Sequence, residues 1–304
     1  MIDGGLLLDK PVGVSSNATL QQAKKLVGAT KAGHAGTLDP LASGLLVALF
    51  GEATKFAGPL LDADKEYLAT LELGSRTSTG DAEGEIIERK PVNITAAALA
   101  AVLERFRGEI EQVPPMHSAL KHKGTPLYRL ARRGEEVTRA ARRVRISCLD
   151  TVRLEVPLLR MRVVCSKGTY IRVLAEDIGA TLGCGAHLAA LRRTGSGRFR
   201  VENALTLDAL EALPIHERGR ALLELPALVH GLPRAELGAA EEARLRQGQA
   251  LKISGLERGL CAVVRPDGRV IGLGTADGDG GLKPLRLTQT AEKHLKSAAH
   301  TKRE

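Results

Sequence analysis

Tryptophan is absent from the 304-residue chain, and all aromatic residues together make up 2% of it. So few rings exclude a module that grips single strands by stacking many bases. They leave room for one that holds phosphates and reads shape. Cysteine is scarce too: Cys148, Cys165, Cys184 and Cys261 stand far apart, with no C-x-x-C pair. That spacing offers neither a disulfide framework nor a structural zinc site, and points to a reducing cytoplasm. Long apolar runs are missing. The longest, Ala96 to Leu103, falls far short of the ~20 residues that span a bilayer. Met1-Ile2-Asp3-Gly4-Gly5 has no basic stretch leading into an apolar one, so neither a signal peptide nor a membrane role is expected. No dinucleotide fingerprint, P-loop or convincing metal cluster is visible, so no cofactor and no metal are expected.

What is present is ordinary globular material, 43% hydrophobic and 26% charged, long enough for one large and one small domain. The net charge is +9. Its distribution is uneven. Between Pro115 and Arg145 lie nine basic residues against Glu135 and Glu136 alone, which places +7 of the charge in one segment. A solvated basic face and a polyanion-binding face both fit that segment.

Along the chain, Gly5–Asp9 reads as a strand stopped by Lys10-Pro11-Val12-Gly13. Ser16-Asn17-Ala18-Thr19 caps a helix to about Leu26. Lys31–Gly44 is Gly-rich and aperiodic, hence a loop. Leu45–Phe50 and Tyr67–Leu73 read as strands, and Ile94-Thr95 opens an Ala-rich helix to about Phe106. Val144–Leu154 and Leu158–Ser166 read as paired strands, Thr169–Leu182 as a helix stopped by Gly183, and Leu205–Leu213 as a short helix. Past Pro226–Pro233 come a helix over Glu236–Gln247 and a hairpin about Pro266-Asp267-Gly268. Strands and helices mix without βαβ alternation, so the fold class is α+β.

The most informative stretch is Gly33-His34-Ala35-Gly36-Thr37-Leu38-Asp39-Pro40-Leu41-Ala42-Ser43-Gly44. Its glycines permit positive φ and close approach to a ligand. Asp39-Pro40 fits two readings: a helix start, with Asp as N-cap and Pro at the first helical position, or a carboxylate site on a Gly-rich loop.

This stretch resembles the signature loop of the TruB-type pseudouridine synthases, the bacterial tRNA pseudouridine-55 synthases. Further motifs follow in the family's order over about two hundred residues. They are Gly5-Leu-Leu-Leu-Asp-Lys-Pro-Val-Gly-Val-Ser-Ser, Lys65-Glu66-Tyr67 with Leu73-Gly74 to Gly84-Glu85, and Pro114-Pro115-Met116-His117-Ser118-Ala119-Leu120-Lys121. Tyr128-x-x-Ala131-Arg132, Ser166-Lys-Gly-Thr-Tyr-Ile-Arg172 and Gly183-Cys-Gly-Ala-His187 with Leu191-Arg-Arg-Thr194 complete the set.

The resemblance implies conversion of one T-loop uridine of tRNA to pseudouridine, with the base flipped out of the loop. It places the catalytic carboxylate on Asp39, as nucleophile or base, with Arg172 as its compensating cation. Tyr67 would stack on the uracil, Tyr170 and Leu191 would line its pocket, and His34 would fill the gap left in the stack. Lys10 matches the lysine of the opening motif, with a structural or phosphate-directed role. The resemblance further implies a catalytic domain over 1–228 on a mixed, mainly antiparallel sheet, with a basic thumb inserted at 115–145. A PUA-like RNA-binding module would follow at 229–288, then a flexible basic tail at 289–304. Ala35 and Ser43 stand where threonines are common in the family, and His117 where an aromatic is common. The expected partner is the tRNA T-arm, with no guide RNA and a monomeric chain. Two other readings are a guide-RNA-dependent dyskerin-like subunit and a tRNA-folding chaperone with incidental catalysis.

Overall fold

The computed structural model describes residues 2–118 and 120–289. Of the tail expected at 289–304, residues 290–304 lie outside the described residues. β1 (Gly4–Lys10) leads into α1 (Ser16–Val27), whose N-cap Ser15 accepts from the Ala18 N–H. β2 (Ala32–His34), β3 (Ala42–Phe50), α2 (Ala57–Asp62) and β4 (Lys65–Leu73) follow. A small hairpin, β5 (Ser75–Thr77) with β6 (Ile86–Arg89), precedes α3 (Ala96–Glu104). β7 (Gly108–Gln112) precedes the basic segment, which carries the β8 (Lys121–His122) and β9 (Thr125–Pro126) hairpin and α4 (Leu127–Ala131). The long pair β10 (Arg142–Glu155) and β11 (Leu158–Cys165) leads to α5 (Ile171–Leu182), capped by Gly183 in the left-handed conformation. β12 (Ala186–Ser196), β13 (Phe199–Arg200), α6 (Leu207–Ala212) and α7 (Leu225–Leu228) close this part.

These strands form one sheet in the order β1-β3-β12-β4-β11-β10-β7, with β13 beside β12 and β2 beside β3. Every pairing is antiparallel except β12 with β3, so the sheet is mixed and mainly antiparallel as expected. β4 alternates strictly between buried and half-buried positions, which puts Lys65, Tyr67, Ala69, Leu71 and Leu73 on the inner face. α3 and α5 cover that face through Leu99, Leu103, Leu174 and Ile178. α1 and α6 cover the other end through Leu20, Ala23 and Leu210 against Leu6, Leu8 and Leu46.

A second sheet, β14-β16-β17-β18-β15, is built from β14 (Arg234–Glu236), β15 (Leu251–Lys252), β16 (Gly259–Val264), β17 (Val270–Ala276) and β18 (Gly281–Leu287). α8 (Ala239–Arg246) precedes β15. Ala262, Val264, Val270 and Leu273 of this sheet share a core with Leu7, Leu45, Val47, Leu49 and Phe56. The two sheets therefore meet through apolar packing.

Three local expectations need correction. The stretch 31–44 is not all loop: β2 pairs Ala32, Gly33 and His34 with Phe50, Leu49 and Ala48. Asp39-Pro40 starts no helix; the Ala42 N–H bonds the Asp39 carbonyl in a turn that runs straight into β3. The helix expected over Glu236–Gln247 is shorter, because Glu236 ends β14 and Gly238 is the N-cap of α8.

Candidate active site

The Asp39 loop leaves the sheet where β3 changes partners. β1 occupies one edge of β3 over residues 44–50, while the other edge pairs with β12 at residues 42–44 and with β2 at 48–50. The loop emerges from that gap. It is held from below by the first turn of the chain. Ser16 Oγ donates to the Leu38 carbonyl at 2.9 Å and accepts from the Leu38 N–H at 2.8 Å. The Gly13 N–H donates to the Pro40 carbonyl at 2.8 Å. Asp39 is thus presented from both sides of a fixed backbone, with its carboxylate 46% exposed.

Arg172 meets it from the first turn of α5. Its Nη2 stands 2.9 Å from Asp39 Oδ2, and its Nη1 stands 3.4 Å from Asp81 Oδ2. The same guanidinium donates to the Thr79 carbonyl at 3.3 Å and to the His117 carbonyl at 2.7 Å. A cation at a helix N-terminus is electrostatically misplaced, and these acceptors offset that cost. Asp81 is itself buried and accepts from Thr79 Oγ1 at 2.5 Å and from the Glu83 N–H at 3.1 Å. Burial, together with the Asp81 and Asp39 charges, pushes the neighbouring Glu83 carboxyl above its ordinary range.

On one side of the Asp39–Arg172 pair lies a cavity of about 640 Å³ lined by Tyr67, Tyr170, Leu191, Arg193 and Lys65. Tyr67 is buried, and that burial raises its phenol above the ordinary value, so it is protonated at neutral pH. Tyr170 is fixed through its backbone: its N–H donates to Gln112 Oε1 at 3.0 Å, and its carbonyl accepts from Gln112 Nε2 at 3.3 Å. Arg142, Arg143 and Lys167 stand on the cavity's wall, so its lining is cationic. On the other side lies a cavity of about 460 Å³ lined by His34, His117, Tyr128 and Arg132. Burial and the charge of Arg193 lower the His34 pKa, so its ring is neutral at pH 7.

The structure thus brings Asp39, Arg172, Tyr67, Tyr170 and Leu191 to one cavity and places His34 across the carboxylate from them. Lys10 lines neither cavity. Its fully buried ammonium donates to the Pro11 carbonyl at 2.8 Å and the Val14 carbonyl at 2.5 Å. Burial lowers its pKa to about 8. A separate cavity of about 700 Å³ between α1 and α6 does include Lys10, but its Asp9 and Arg192 are spent on each other at 2.7 Å. Sequence reasoning passed over Asp81, Arg193, Ser16 and Gln112. All four stand next to quoted motifs or within them, but only the fold shows that Asp81 shares a guanidinium with Asp39.

The solved structures similar to this chain define the class. An H/ACA RNP bound to a substrate RNA containing 2′-deoxyuridine matches with TM-score 0.72 and 25% identity, covering 94% of this chain and 85% of that one. A Cbf5-Nop10-Gar1 complex matches with TM-score 0.72 and 28% identity over 94% and 84%. The fold is the pseudouridine synthase fold. The description "TruB family pseudouridylate synthase (N terminal domain)" matches residues 24–171. "tRNA pseudouridylate synthase B C-terminal domain" matches 172–232, and "Pseudouridine synthase II TruB, C-terminal" matches 233–288. Among curated relatives, tRNA pseudouridine synthase B of Aromatoleum aromaticum is 54% identical over 95% of this chain and 94% of its own. That of Thiobacillus denitrificans is 53% identical over 96% and 97%. The chain belongs to the TruB family of pseudouridine synthases. No helix among the described residues is long and apolar enough to cross a membrane.

Proposed function

We propose that this chain converts the T-loop uridine of tRNA, position 55, to pseudouridine, with Asp39 as its catalytic carboxylate. One observation carries the assignment: Asp39 stands 2.9 Å from a buried guanidinium, on the wall of the cavity that holds Tyr67 and Leu191. The reaction breaks the N1–C1′ bond, turns the uracil, and joins C5 to C1′. The C5 proton leaves and a proton returns to nitrogen, so nothing else is gained or lost and no cofactor is required. Asp39 attacks C1′ or takes the 2′ proton. Either role needs an ionised carboxylate in a site that excludes water, and Arg172 favours that form. Tyr67 and Leu191 pack against the extruded base, and Tyr170 borders it. His34 occupies the opposite side, where a neutral ring can fill the gap in the T-loop stack. Lys10 acts through the turn that supports the loop.

The segment 115–145 serves as a thumb that closes on RNA. Among the described residues its Lys121, Lys123, Arg129, Arg132 and Arg142 are exposed, and no ion pair engages them. Residues 229–288 form the PUA-like module that grips tRNA away from the site. The enzyme works in the cytoplasm as a monomer without a guide RNA. Support for this over a guide-dependent subunit comes from the curated relatives, matched over nearly their whole length. The test is incubation of the purified chain with an unmodified tRNA transcript, without any guide, followed by mapping of pseudouridine. One product site, in the T-loop, is expected. No product, or product only with added guide RNA and partner proteins, would overturn the proposal.

A further inference from the structure

Among the described residues Arg193 is the largest fully buried side chain, at 1% exposure. Its charge faces carbonyl oxygens rather than a carboxylate. Nε donates to the Leu45 carbonyl at 2.6 Å, and Nη2 donates to the Gly36 carbonyl at 3.0 Å. Burying a guanidinium in this way is costly, and an apolar side chain of similar volume would cost less if only filling were needed. The two acceptors have a particular position. Gly36 lies on the incoming stem of the Asp39 loop, and Leu45 follows its outgoing stem.

The backbone of Arg193 grips the same stem. It pairs with Gly44 in the parallel register of β12 on β3. Gly44 has φ +98°, and a Cβ there would sit 2.3 Å from the Arg193 carbonyl oxygen. No other residue type allows that approach. On its opposite edge Arg193 pairs with Tyr67 of β4, and its guanidinium lies beside the Tyr67 hydroxyl. One side chain therefore reaches both stems of the loop that carries the carboxylate and the strand that carries the stacking ring.

We propose that Arg193 is a positioning residue for the isomerisation, holding Asp39 and Tyr67 in fixed register on either side of the flipped uracil. The proposal rests on the assignment of Asp39 given above. Arg193 does not touch the reacting atoms; it acts through the loop and the tyrosine. The planar fork is what the task demands. A lysine ammonium keeps the charge but lacks the fixed planar fork that meets the Leu45 and Gly36 carbonyls from separate nitrogens.

The test compares Arg193→Lys, Arg193→Gln and Asp39→Asn with wild type on a T-loop transcript. Single-turnover rate, tRNA binding, thermal melting and amide hydrogen exchange are measured. Arg193→Lys and Arg193→Gln are expected to lose roughly 100-fold in rate, the order of loss that a misplacement of about 1 Å brings. Binding should stay within about threefold, and exchange should quicken at residues 35–45 while the rest of the sheet keeps its protection. A folded Arg193→Lys variant as fast as wild type would overturn the proposal. So would a rate loss matched by an equal loss of binding, or failure of both Arg193 variants to fold, which would make the residue one of the fold alone. Full activity in Asp39→Asn strikes the underlying assignment instead. An inactive Asp39→Asn beside an undiminished Arg193→Lys strikes this inference only.

Discussion

Asp39 and Asp81 share one guanidinium, but they depend on it unequally. Asp81 is 4% exposed and Asp39 is 46% exposed. Removing the arginine leaves Asp81 as an unpaired buried charge, whereas Asp39 can still be hydrated. Arg172→Met should therefore cost about 3–5 kcal/mol of stability, the range for breaking a buried pair. Adding Asp81→Asn should return much of that stability in urea denaturation. It should return none of the single-turnover rate, because Asp39 still lacks its cation. Recovery of both together would mean that Arg172 matters only to the fold. Lys10 offers a pH test. Its pKa is about 8 in the folded chain against an ordinary 10.5. Below pH 8 it is charged in both states and the burial penalty is complete. Between pH 8 and 10.5 the folded chain sheds the proton that the unfolded chain keeps, so stability rises with pH. The stability of wild type relative to Lys10→Met should therefore improve across that window. A flat difference would place the ammonium in water.

At the scale of elements, legibility followed regularity. β4 was readable because its buried and half-buried positions alternate without a break. β12, which carries Leu191 and Arg193, is legible in the sequence as a motif and not as a strand. Irregularities at Leu188/Ala190 and Arg193/Gly195 interrupt its alternation, and alanine and arginine dilute its strand character. β2 spans only three residues and is defined by its pairing with β3 rather than by composition. Within the site, Asp39, Tyr67, Tyr170, Arg172 and Leu191 were named through family resemblance, and spacing alone would not have joined them. Asp81 and Arg193 carry no local signal for their part in the site, because the partners that tie them to it, Arg172 for Asp81 and Gly36 and Leu45 for Arg193, are distant in sequence. The basic segment 115–145 is legible as charge. Arg142 and Arg143 stand exposed at the wall of the Tyr67 cavity. Replacing both with glutamine should reduce the slope of log affinity against log salt by up to about 2, if each meets one phosphate. An unchanged slope would remove them from the RNA interface.

Over the whole molecule, the two sheets do not behave as beads on a string. Leu273 and Val264 of the second sheet pack with Leu7, Val47 and Leu49 of the first. The Lys55 ammonium donates to the Leu287 carbonyl at 2.9 Å, and Glu52 accepts from the Gln289 N–H at 2.6 Å. Leu273→Ala, with a cost of about 2–5 kcal/mol for a buried leucine, should lower one shared unfolding transition. A second transition that moves alone would show two independent units. Whether Asp39 performs the isomerisation is read from tritium release by a tRNA transcript labelled at C5 of uridine. That hydrogen must leave when C5 becomes the glycosidic carbon. Wild type should release label from one uridine per tRNA, and Asp39→Asn should release none while still binding the transcript. Release by Asp39→Asn at the wild-type rate would contradict the account.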